Sequence, residues 1–105
     1  MIPRAKRLAK KKEQDTVRSL GVRKHGRFFI LYARSAERPR YAVSVSRAIS
    51  TSSVERGRIR RAAQAALLAD EKTDMEVVVI AKREAANQKG TSLQKDINET
   101  LKQIS

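Results

Sequence analysis

Apolar and polar positions along the chain mark out six segments of regular structure. The first is weak. Leu8, Val17 and Leu20 are sparse anchors in a mostly charged stretch, and they predict a short helix from about Leu8 to Leu20 that Gly21 ends. "VRKHG" (22–26) has no apolar period and is expected to be a basic loop. "RFFILYAR" (27–34) is rich in aromatic and β-branched residues and predicts a strand, with Phe28 and Tyr32 on one face and Phe29 on the other. "SAERP" (35–39) is a polar turn. "RYAVSVSR" (40–47) predicts a second strand, in which Tyr41, Val43 and Val45 alternate with Ala42, Ser44 and Ser46. The short connection between the two predicts an antiparallel hairpin.

The second half is more regular. Ser52 and Glu55 have capping-box spacing, and Ile59, Ala62, Ala63, Ala66 and Leu67 follow at helical period, so a helix is expected from residue 53 to about Ala69. "DEKTD" (70–74) is an acidic loop. "MEVVVIAKR" (75–83) is a nearly continuous apolar run, the pattern of an interior strand. "EAANQKG" (84–90) is a polar loop. Thr91 and Gln94 form a second capping box, and Leu93, Ile97, Leu101 and Ile104 mark the apolar face of a last helix. The order α-β-β-α-β-α predicts an α+β sandwich, a small sheet packed by helices. With no repeat and no linker, residues 1–105 form one domain. It carries a basic arm, "MIPRAKRLAKKK", whose first seven or so residues are expected to stay flexible until a partner binds.

Charge narrows the function. The net charge is +13, and it is lopsided: residues 1–61 hold 18 Lys/Arg against 4 Asp/Glu, residues 62–105 hold 6 against 7. A field of this kind points to a polyanion, either nucleic acid or an anionic membrane. There is no cysteine, hence no disulfide framework and no thiolate metal site. No apolar run reaches transmembrane length, and the N-terminus lacks the apolar segment of a signal peptide, so a cytoplasmic location is expected.

Enzymatic signatures are missing. The single histidine, His25, lies in a basic stretch, and there is no HExxH, no GxSxG and no cluster of acids and histidines at ligand spacing. "QKGTS" (88–92) has Lys-Gly where a phosphate loop has Gly-Lys, and the upstream glycine is absent. Neither catalytic residues nor a metal held by side chains is expected.

Four arginines, Arg56, Arg58, Arg60 and Arg61, crowd the start of the middle helix, where the helix dipole disfavours cations. They fall outside its apolar stripe. A phosphate bound there would satisfy both the arginines and the free backbone N–H groups. Arg27, Arg34, Arg38, Arg40 and Arg47 add charge around the two strands. Tyr32 is a candidate stacking platform for single-stranded RNA; packing all three aromatics of its strand into the core is the alternative.

These residues together resemble the bacterial ribonuclease P protein subunit. That family carries an "RNRIKR" motif on a helix that follows a "VSVSKK"-like strand. Here "VSVSR" (43–47) precedes "RGRIRR" (56–61), and Arg7-Leu8, the strand residues Phe29, Leu31 and Tyr32, and "VVIAK" (78–82) follow in the family's order. The resemblance covers nearly the whole chain. It implies a left-handed β-α-β crossover, and a protein without catalytic residues that assists an RNA subunit, with magnesium held through that RNA, in cutting the 5′ leader from precursor tRNA. Arg56, Arg58, Arg60 and Arg61, with Arg47, Lys10, Lys11 and Lys12, are then the expected contacts to catalytic RNA. Tyr32, Phe28 and Arg7 are the expected leader cleft. The partners would be the catalytic RNA and precursor tRNA, with no membrane, and the protein would be a monomer within the particle. The chain departs from the family at Gly57, which replaces the motif's Asn, and at Arg47-Ala48, which replaces Lys-Lys. The loop "AISTSS" (48–53) is one residue longer, and the first helix lacks phenylalanine. Two rivals fit the composition: a ribosomal or other structural RNA-binding protein, and a membrane-surface protein, although the latter lacks the aromatic anchors of an interfacial helix.

Overall fold

The computed structural model describes residues 2–69 and 74–104, so most of the expected acidic loop lies outside the described residues. Its elements are α1 (Lys11–Leu20), β1 (Val22–His25), β2 (Phe29–Ser35), β3 (Arg40–Ser44), α2 (Ser53–Ala69), β4 (Met75–Ala81) and α3 (Gly90–Lys102), with 3-10 turns at Arg4–Lys6 and Arg83–Ala85. The strands form one sheet in the order β1-β2-β4-β3.

β4 takes an interior position because it is apolar on both sides. Val77 and Val79 face α2 and α3, within the large core that includes Phe29, Leu31, Ile59, Leu67, Leu93 and Ile97. Val78 faces the other way, into a small core with Leu8 and Val17. This placement overturns the expected hairpin. β2 and β3 do not pair; β4 lies between them, antiparallel to β2 and parallel to β3. Both flanking strands have a half-polar face, so the doubly apolar strand takes the position where both faces are covered. The β3–α2–β4 unit is the parallel crossover that such pairing requires.

"VRKHG" corrects the reading again: Val22–His25 form an edge strand, with Lys24 opposite Leu31. Nothing local predicts it. Pairing with the free edge of β2 overrides propensity, and its cations keep that edge from templating further pairing. Other boundaries move too. α1 begins at Lys11, not Leu8, and the second strand stops at Ser44. α3 begins at Gly90 with Lys89 at the cap and no side-chain capping bond, so Thr91 falls inside the first turn and the Thr91–Gln94 box does not form. The Ser52 cap does form: its Oγ accepts the Glu55 N–H at 3.2 Å.

The N-terminal arm is laid against β3 rather than projecting from the domain. Ile2 is buried in the large core, Arg7 bridges to Tyr41 in parallel, and the Leu8 N–H donates to the Tyr41 carbonyl at 2.9 Å.

Candidate nucleic-acid interface

At the start of α2 the four arginines have different circumstances. Arg56 turns back and donates to the Ser50 carbonyl at 2.9 Å, bracing the loop before the helix. Arg58 pairs with Glu55 one turn earlier, through two hydrogen bonds. That contact lowers the Glu55 carboxyl below its ordinary value and raises the Arg58 guanidinium above its own. Arg60 and Arg61 are exposed and make no hydrogen bond or ion pair with another described residue. Two of the four are therefore ready for an outside anion, and the other two are held by the chain itself. Arg47 is exposed in the loop that leads to the helix.

The second region is the sheet face beneath α1. The register sets three cross-strand rows there: Arg34, Glu76 and Arg40; Arg23, Tyr32, Val78 and Ala42; His25, Ile30, Ile80 and Ser44. α1 covers this face thinly, because Val17 is its one buried side chain. Tyr32, Ala42, Ile30 and Ile80 are left half-buried. The Arg18 guanidinium lies over the Tyr32 ring at 5.5 Å. Both line a cavity of about 350 Å³ with Asp15, Ser19 and Arg23. An aromatic ring beside two arginines, on a face only partly roofed, suits a flexible single strand.

The first row anchors α1. Glu76, 6% exposed, accepts from the Arg40 side chain, and Arg34 approaches it at 3.6 Å. Arg40 also reaches Glu13 on α1, and these contacts raise its guanidinium above the ordinary value, Glu76 contributing most.

The structure brings some of the expected residues together and separates others. Tyr32 lies in the cleft. Lys10, Lys11 and Lys12 are exposed at the start of the helix that roofs it. Phe28 does not share the Tyr32 face. It precedes β2, leaves the strand's alternation, and packs half-buried against the large core beside α3. Arg7 sits outside β3, with β3 and β4 between it and the strand of Tyr32, and its Nε donates to the Ile2 carbonyl at 3.3 Å. Neither belongs to the cleft. Alternation is a rule for residues inside a strand, which excludes Phe28, and the insertion of β4 between β2 and β3 carries Arg7 away. Sequence reasoning misses Arg18 and Arg23, because α1 has few apolar anchors and β1 has the composition of a loop. It also misses Asp96, although a signal exists: it is the one acid on the apolar stripe that runs through Leu93, Ile97, Thr100 and Leu101.

No helix among the described residues is long and apolar enough to cross a membrane. The Ribonuclease P family profile matches residues 2–105. No curated protein sequence matches the chain. Among solved structures, the RNase P protein of Staphylococcus aureus superimposes with a TM-score of 0.85 at 22% identity, over 94% of each chain. That of Thermotoga maritima does so with a TM-score of 0.83 at 15% identity, over 94% of this chain and 97% of the other. Sheet order, basic helix start and partly roofed face thus meet in a chain that belongs to the Ribonuclease P family, the protein component of an endoribonuclease that processes tRNA.

Proposed function

We propose that the chain, as a cytoplasmic monomer, binds the catalytic RNA of ribonuclease P through the first turns of α2 and receives the 5′ leader of precursor tRNA on the sheet face beneath α1. The observation that carries this reading is the pair Arg60 and Arg61, exposed and without an ion partner among the described residues, at a helix start where four arginines gather. Two cations left unpaired in the opening turns of a helix favour an external anion, and RNA phosphates supply it. The cleft contributes Tyr32, Arg18 and Arg23 to a strand whose bases are unpaired.

In this reading the RNA subunit, with its magnesium, performs the cleavage. Supporting it, the partly or fully buried carboxylates among the described residues are all engaged: Glu13 and Glu76 with Arg40, Glu55 with Arg58, and Asp96 with the N–H groups of Arg27 and Phe28. Each of these has a structural partner that accounts for its burial. The test is reconstitution with the cognate catalytic RNA, assayed on precursor tRNA at low magnesium. Stimulation by the wild-type protein, and no cutting by protein alone, is the expected result. Arg60→Ala with Arg61→Ala should weaken RNA binding in a folded protein and lower the salt slope by roughly 0.7–0.9 for each phosphate no longer neutralised. Unchanged affinity and slope would overturn the assignment of α2.

A further inference from the structure

We propose that the cavity between the β1–β2 turn and α3 seats one unpaired nucleotide of a bound RNA. This rests on the reading of α2 as an RNA-binding helix. The cavity holds about 290 Å³, at the small end of the range for ligand pockets and suited to a single base. Phe28 lines it, and the Arg27 guanidinium lies over the Phe28 ring at 5.6 Å. A ring and a guanidinium plane are the two surfaces on which splayed-out bases stack. Gln88, Ser92 and Glu99 add donors and acceptors that a base edge can read. Lys95, 3.9 Å from Glu99, and Arg27 add cations for the attached phosphate.

The stacking pair is held in advance. Asp96, 6% exposed, accepts the N–H groups of Arg27 at 2.7 Å and Phe28 at 2.9 Å. Lys82 Nζ donates to the Gly26 carbonyl at 2.8 Å, and the Gly26 N–H donates to the Phe29 carbonyl at 2.8 Å. The turn is thereby fixed to α3 on one side and to the end of β4 on the other, which lowers the ordering cost of binding.

The cavity also adjoins the basic helix. Gln88 in its wall follows Asn87, whose N–H donates to Glu55 Oε1 at 3.3 Å, and Glu55 belongs to the first turn of α2. The largely polar rim argues against an apolar peptide.

The test uses the full chain with the catalytic RNA and, separately, with precursor tRNA. Ultraviolet crosslinking and mass spectrometry should place a nucleotide adduct on Phe28. The RNA that carries it identifies the source. Phe28→Leu, which retains apolar packing on the core, should weaken binding of that RNA roughly 5-fold or more with thermal stability nearly unchanged. Gln88→Ala, outside the core, should weaken it less but measurably, and decides the matter if the leucine variant misfolds. No adduct on Phe28 with either RNA, and wild-type affinity in the folded variants, overturns the proposal. Arg60→Ala with Arg61→Ala serves as the control. If it loses affinity while Phe28→Leu does not, only the nucleotide seat falls; if it loses none, the reading of α2 fails instead.

Discussion

A Cβ added at Gly26 would come within 2.6 Å of an Asp96 carboxylate oxygen and 2.7 Å of Thr100 Oγ1, whereas one added at Gly57 would meet only the Arg61 guanidinium, at 3.2 Å. Both surroundings of Gly26 are fixed, Asp96 by two backbone N–H groups and Thr100 by the Asp96 carbonyl at 2.7 Å. Gly26→Ala should therefore destabilise the fold by about 1–3 kcal/mol. Gly57→Ala should stabilise it by up to about 1 kcal/mol, because the arginine can swing away and α2 gains a better helix former. Urea midpoints at constant m-value check both. Glu55 makes a prediction of another kind. Its folded carboxyl lies below the ordinary glutamate value because of the Arg58 hydrogen bonds. A depressed acid contributes stability above its unfolded value and loses it as pH falls through the folded one. Glu55→Gln should flatten the acid limb of the stability profile, read by thermal melts across the acid range. At neutral pH it should tighten RNA binding, since Arg58 loses its internal partner.

Among the elements, α1 is the least secured. One buried side chain, Val17, the contact between Glu13 and Arg40, and the Arg18 guanidinium over the Tyr32 ring hold it to the sheet. Glu13→Gln should speed amide exchange along α1 while changing global stability by less than about 1 kcal/mol, as a part-exposed pair does. Equal protection in both proteins would show that the ion pair does not position the helix. The same weakness explains what the sequence disclosed and what it concealed. α2 was legible to its ends, because Ser52, Glu55 and the Ile59–Leu67 stripe are local signals that the fold respects. β4 was legible as an interior strand from its run of Val and Ile. The family resemblance singled out the helix on which the arginines stand and the strand that carries Tyr32. The partnership of strands was hidden from the residues alone, since loop length says only that β2 and β3 could pair, and not that a later strand would displace them; only the resemblance, through its β-α-β crossover, pointed to β3 and β4 as parallel partners. β1 was hidden because an edge strand draws its order from its neighbour. Phe28 was misplaced by one residue's worth of strand boundary, enough to carry it from the cleft to the opposite side of the sheet.

For the whole molecule, the expected signature is electrostatic: with a net charge of +13, affinity for RNA should fall steeply and linearly in log salt while the urea midpoint moves little. Parallel titrations of binding and unfolding between low and physiological salt check it. Sheet order carries a further consequence, which concerns how the chain is made. β4 joins β2 to β3, so the strand completing the sheet is the last one synthesised. From Ser44 to Ala81 the ribosome adds 37 residues, a delay of roughly 2–7 s at common elongation rates. A chain released after residue 74 should show no cooperative unfolding transition by circular dichroism. Throughout that interval the emerging segment carries most of the protein's positive charge without a core to organise it, next to the polyanionic surface of the machine that is building it. Folding has to pull a basic, unpaired nascent chain away from RNA before the finished protein can choose the RNA it belongs with.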